Sequence, residues 1–155
     1  MLARQLDRQD LAILRLLQDD ARQPQRAIAE AVNLSAPAVQ RRIARMEAEG
    51  VIRKTVAIID PAAAGFPITV MAEVTLVSDR SENIAAIKAF FRAAPEVQQC
   101  YCVAGAAGFR VIFQVPSMEE YEQTTARLFA DNDLVRSFST TVVLDRVKVS
   151  LSLPL

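Results

Sequence analysis

The 155-residue chain contains no histidine and no tryptophan, two cysteines and four glycines. Without histidine it lacks the commonest general base, the usual activator of a nucleophile and the main zinc ligand. The sequence therefore reads as a protein that is not an enzyme. Few glycines and seven prolines exclude collagen-like and low-complexity chains. Long apolar runs are missing as well. The most apolar stretch, 56–78, is interrupted by Asp60, Pro61, Gly65, Pro67 and Glu73, so it cannot supply the roughly 20 continuous residues of a membrane span. The opening MLARQLDRQD has charge within its first four residues and no apolar core, unlike a signal peptide.

Cys100 and Cys102 are spaced to share one face of a strand, a poor geometry for a disulfide. Two free thiols without a signal peptide point to the cytoplasm. A metal site needs about four ligands, and no further Cys or His exists to complete one. No metal or cofactor is expected, and the thiols read as small hydrophobes in a sheet.

What is present is globular composition: 52% hydrophobic and 23% charged residues argue against disorder. The 18 basic and 18 acidic residues cancel overall but not locally. Residues 1–55 carry ten basic groups against seven acidic, and residues 56–155 carry eight against eleven. A basic N-terminal unit on an acidic body suggests a polyanion-binding module.

Three helices are expected in that unit. Asp7 caps the first, with Asp10 three residues on as a weaker stand-in for the capping-box Glu, and Leu6, Leu11, Ile13, Leu14 and Leu17 form its apolar stripe. A short helix over about 25–32 turns Ile28, Ala29 and Val32 inward. Asn33 tolerates the left-handed backbone of a sharp exit, and Leu34 is the buried residue of that turn. Ser35 then caps a third helix running to about Glu49, with Pro37 in its first turn and Gly50 at its end. Val39, Ile43 and Met46 face the core. Gln40, Arg41 and Arg45 fall on the other side, flanked by Arg42, and no acidic residue lies between Ala31 and Met46. This is a helix-turn-helix plan. Arg pairs bidentately with phosphate or guanine, Gln pairs with adenine, and Ser35 with the first helical amides suits a phosphate. The expected DNA-binding residues are Arg26, Ser35, Pro37, Gln40, Arg41, Arg42 and Arg45.

Beyond Gly50 the apolar period changes from helical to alternating. Val51–Ile52, Val56, Ile58 and Ile59 read as a strand leaving the first domain, and 60–67 as a loop. Strands over 68–77, 97–103, 109–115, 135–143 and 147–153 alternate with a helix capped by Ser81 and ended by Pro95, and another beginning at Pro116–Ser117. The fold class is α+β: a helix-turn-helix, winged-helix-like domain over 1–52, a strand-and-loop linker over 53–66, and a ferredoxin-like βαββαβ domain over 67–155. With both helices on one sheet face, the other reads as too apolar for solvent. A second subunit is expected to cover it, giving an obligate dimer built back to back.

At this point the sequence resembles the leucine-responsive regulatory protein/AsnC family, the feast/famine transcription regulators of bacteria and archaea. The resemblance runs from Leu6 to about Lys148. It is carried by Leu6-Asp7, Ile13-Leu14, Ser35, Val39, Arg42, Ile43, Met46, Glu47, Gly50 and Val51-Ile52, then by Val97-Gln98-Gln99-Cys100, Val103, Gly105, Thr140, Val142-Val143-Leu144 and Val147-Lys148. It implies a sequence-specific regulator that binds double-stranded DNA, whose C-terminal domain (termed RAM) dimerises, assembles further to tetramers or octamers, and holds an amino acid or related metabolite at its interfaces. The implied effector site comprises Val103, Ala104, Gly105, Ala106, Ala107, Gly108, Phe138 and Thr140. The family's Gly-Asp-aromatic-Asp turn is Gly105-Ala106-Ala107-Gly108-Phe109 here, without either carboxylate, and Phe138 stands in its Thr-x-Thr pattern. Two other readings remain open. One is an architectural DNA protein without effector. The other is a catalytic relative of the siroheme decarboxylase type, which would need the histidines this chain lacks.

Overall fold

A computed structural model describes residues 6–105 and 108–155. The chain divides into two compact units, one of residues up to Ala57 together with Val149–Leu155, the other Ile58–Lys148. The C-terminal seven residues thus lie in the first unit, whereas the sequence assigned all of 67–155 to the second. Leu155 packs against the helical core, its carbonyl accepts from Arg15, and the Gln18 amide both donates to and accepts from the backbone of Leu153.

The first unit holds α1 (Arg8–Asp19), α2 (Gln25–Ala31) and α3 (Ala36–Ala48). The reciprocal capping box is present: Asp7 Oδ1 accepts from the Asp10 amide at 2.8 Å, and Asp10 Oδ2 accepts from the Asp7 amide at 3.1 Å. Asn33 adopts the left-handed φ of 54° between α2 and α3. Ser35 caps α3 by accepting from the Ala38 amide, and Gly50 leaves it at φ 74°. Ile13, Leu14, Ile28, Ala29, Val32, Val39 and Met46 form the core, with Leu34 packed partly buried against it.

The second unit runs β1 (Ile68–Leu76), α4 (Ser81–Ala93), β2 (Val97–Cys102), β3 (Phe109–Val115), α5 (Met118–Thr125) continued as a π-turn over Ala126–Ala130, then β4 (Val135–Val142). The sheet order is β2-β3-β1-β4, every neighbouring pair antiparallel, as a split βαβ requires. Arg80, not Ser81, occupies the cap of α4, and no side chain closes that end. Even-numbered β1 residues from Val70 to Leu76 and odd-numbered β3 residues from Phe109 to Val115 face the helices. There Phe91 meets Phe109 and Phe129 edge-on, and Phe129 meets Phe113, each pair with centroids 6.0 Å apart.

Two strands expected from the sequence are absent among the described residues: the one leaving the first domain over 51–59 and the terminal one over 147–153. A strand needs a neighbour for its N–H and C=O groups, and neither segment pairs with one. The amides of Val51 and Ile52 instead fold back onto the Met46 carbonyl. The open sheet face also differs from expectation. Glu73 pairs with Arg110 at 3.0 Å, Gln98 with Gln114 at 3.2 Å and Tyr101 with Gln99 at 2.6 Å, and Ser137, Ser139 and Thr141 line β4. Met71 and Ile112 are apolar exceptions in a largely polar face. Its apolarity therefore gives no reason for a back-to-back dimer.

Phe113→Ala should lower unfolding stability by about 3–5 kcal/mol, the usual cost of emptying a buried phenylalanine site. Phe66→Ala, at a side chain 47% exposed, should stay within about 0.5 kcal/mol. Equal urea midpoints for the two variants would contradict this core.

Candidate nucleic-acid interface

The helix-turn-helix presents α3 by a specific electrostatic device. Asp10 is 1% exposed, and a buried carboxylate is stable only when paired. Its Oδ1 accepts from Arg42 at 2.7 Å and its Oδ2 pairs with Arg45 at 2.6 Å. Arg42 also donates to Asp7 at 2.7 Å. Burial pushes the Asp10 carboxyl up, but the Arg42 bond, the Asp7 amide and Arg45 outweigh it and hold it below its ordinary value. The Arg42 hydrogen bond, with the Asp10 amide, holds Asp7 low in the same way. Arg42 is in turn held more firmly protonated, first by Asp7 and then by Asp10.

This corrects the reading of α3 from sequence. Arg45 is not on the outer side, and neither it nor Arg42 is an unengaged cation. Both turn toward α1, with side chains only 31% and 26% exposed. Arg45 also lies 3.9 Å from Glu49. Gln40 and Arg41 remain exposed, as do Ser35 and Pro37 at the helix start. Arg26 is exposed on α2 and pairs with Glu30 at 3.3 Å, a surface contact of little energetic weight. What reasoning from sequence missed is the second role of Asp7 and Asp10, as partners of the α3 arginines. Their signal was spacing: two carboxylates three apart on one helix match two arginines three apart on another.

The residues implied as an effector site fall into two groups. Val103, Ala104, Gly105 and Gly108 close the β2–β3 hairpin, where the Val103 amide donates to the Gly108 carbonyl at 2.9 Å. Ala106 and Ala107 lie outside the described residues. Phe138 and Thr140 lie on β4, with β1 between them and β3. Phe138 packs on Phe129 at 5.1 Å, and the Thr140 hydroxyl lies 2.5 Å from that of Tyr121. The sheet order thus sets the two groups two to three strand spacings, roughly 10–14 Å, apart.

A helix-turn-helix followed by a ferredoxin-like unit defines a DNA-binding protein with an appended α+β domain. The comparisons agree along the chain. Residues 6–53 match the winged helix-turn-helix DNA-binding model, and 69–153 match the Lrp/AsnC ligand binding domain. The chain is 39% identical to the HTH-type transcriptional regulator y4tD of Sinorhizobium fredii over 99% of its length and 90% of the relative's. It is 33% identical to the glutamate uptake regulatory protein of Zymomonas mobilis, covering 98% and 92%. The crystal structure of an AsnC family regulator from Agrobacterium tumefaciens superposes with a TM-score of 0.89 at 30% identity, covering 96% and 97%. The chain belongs to the Lrp/AsnC family of transcriptional regulators. These relatives are named as transcriptional regulators, and no helix among the described residues is long and apolar enough to cross a membrane.

Asp10→Asn should destabilise the first unit by about 2–3 kcal/mol, less than the 3–5 of a fully buried pair because both arginines reach solvent. Since Asp7 and Asp10 are depressed in the folded state, their stabilisation is complete above the ordinary carboxylate value near 4 and is lost as pH falls through the lower folded values. Acid titration of α-helical circular dichroism should therefore show a shallower loss below about pH 4 for the Asn variant. An unchanged profile would contradict the clasp.

Proposed function

We propose that this regulator reads DNA through Gln40 and Arg41, with Ser35, the N-terminal amides of α3 and Arg26 contacting phosphate, while Arg42 and Arg45 position the helix. The observation that carries this reading is the pairing of Asp10 with both arginines. It leaves Arg41, exposed and without an ion pair among the described residues, as the guanidinium that can reach a base edge. The protein works in the cytoplasm as a homodimer that assembles further. Support for assembly comes from apolar side chains left bare at Ile58, Leu144, Val147 and Leu151, all at least 83% exposed. A second copy is the natural cover for them.

The response is to a small metabolite bound where Val103–Gly108 of one domain and Phe138 and Thr140 of another come together across an interface. The separation of the two groups within one chain supports a shared site of that kind. With no carboxylate in the 105–108 turn, an amino acid's ammonium group would have to find backbone carbonyls, so an apolar effector suits the site better. Binding alters DNA affinity only through a difference in affinity between assembled states.

Fluorescence anisotropy on the full-length protein, with the duplex upstream of its own gene against a scrambled duplex at two salt concentrations, tests the reading. Tighter, salt-sensitive binding to the native duplex is expected, whereas equal binding to both would favour an architectural role. Arg41→Ala should cost about 1–3 kcal/mol of DNA affinity with an unchanged melting temperature. Arg45→Ala should lower the melting temperature. The reverse pattern would overturn the division of roles. Crosslinking at micromolar concentration should yield dimers or larger species, and monomer alone would exclude the assembly.

A further inference from the structure

The two cysteines are not absorbed by this function. Both are free and exposed, on β2, an edge strand of the sheet. Cys100 opposes Val111 and Cys102 opposes Phe109, two inward-facing positions of β3, so both thiols project to the same side. We propose that Cys100 and Cys102 form a two-thiolate site for a soft monovalent cation of the Cu(I) type.

Geometry decides between the fates open to such a pair. Residues two apart on a strand have Cα and Cβ atoms separated by about 6.6–6.8 Å. A disulfide needs Cβ atoms within about 4.5 Å and sulfurs about 2.05 Å apart, which an extended backbone cannot meet. A linear ion with metal–sulfur bonds of about 2.3 Å, the zinc–thiolate length, needs sulfurs only some 4.6 Å apart. Rotation of both side chains about χ1 closes that gap without moving the backbone. Ligand number selects the metal in the same direction. Zinc asks for four donors, and no cluster of three or more metal-binding side chains occurs among the described residues. Cu(I) prefers soft thiolate donors and is satisfied by two. The four-ligand requirement that argues against zinc therefore does not reach this ion.

The electrostatics at Cys100 work against its thiolate, a cost that the ion's charge has to offset. Burial pushes the Cys100 thiol up, and the neighbouring Cys102 raises it further, against a smaller opposing effect of Arg92. Two protons leave as the ion binds, and its charge, shared between the sulfurs, relieves the repulsion that otherwise keeps both thiolates from forming together. No electron is transferred. The site also adjoins the β2–β3 turn, because Cys102 is followed directly by Val103, whose amide makes the turn's closing bond.

The test is an anaerobic Cu(I) titration of the reduced full-length protein against a chromogenic Cu(I) chelator, for the natural chain, Cys100→Ser, Cys102→Ser and the double variant. One Cu(I) per chain is expected, with ultraviolet thiolate-to-metal absorption. Each single variant should bind at least about a hundredfold more weakly, the lower end of the gain from two tethered donors. The double variant should show no thiolate band. The proposal is overturned if either single variant competes as well as the natural chain. It is also overturned if saturation falls at one ion per two chains, which would mean a bridge with one cysteine from each.

Discussion

The interface that α3 offers depends on a single buried carboxylate. Asp10 completes the capping box of α1, where the positive end of the helix dipole favours its charge, and accepts two guanidinium groups from α3. Consecutive helical residues lie about 100° apart around the axis. Fixing Arg42 and Arg45 against α1 therefore fixes where Gln40 and Arg41 point. The clasp sets the rotation of the recognition helix, while the apolar contacts of Val39 and Met46 set its distance. Hydrophobic packing alone tolerates some rolling of a helix. Two directional ion pairs on one acid do not.

Most of this architecture is legible in the residues. The capping box, the left-handed Asn33, the Ser35 cap and the helical stripes are local chemistry, and each appears where the sequence places it. The four strands of the second unit are also readable, because their alternation matches a sheet with one covered face. Two kinds of feature are not. Strand 51–59 and strand 147–153 have the right alternation, but a strand exists only with a neighbour, and pairing is not written in the segment that lacks it. The arginines of α3 fail differently. A guanidinium facing phosphate and one facing carboxylate are the same residue in sequence, and an acid-free run on α3 says nothing of acids on α1. Only comparison of the two spacings of three, Asp7 with Asp10 and Arg42 with Arg45, separates them.

The open face of the sheet teaches a related lesson. An uncovered face suggests a missing partner only when it is apolar, and here side-chain pairs such as Glu73 with Arg110 satisfy it in water. The bare apolar residues lie instead on the segments around Ile58 and beyond Val143, which join no strand ladder among the described residues. Backbone without a strand neighbour and exposed hydrophobes thus coincide in the chain. That coincidence marks association more firmly than the composition of a sheet face.

The clasp also bears on the choice between a sequence-reading protein and one that merely coats DNA. Non-specific affinity grows with the number of phosphates neutralised, each releasing a counterion. A first unit with ten basic residues against seven acidic ones, on a chain neutral overall, has only modest long-range attraction to offer, and salt confines it to about 8 Å. Within the first unit, Arg42 and Arg45 are committed to Asp7 and Asp10, and Arg26 is shared with Glu30. A protein made to wrap DNA by charge gains nothing from neutralising its own arginines. A protein made to place one guanidinium and one amide at base edges gains a fixed helix, because discrimination between bases rests on bidentate geometry more than on total charge. The internal pairing of α3 is therefore the feature of this chain that argues most directly for readout of sequence.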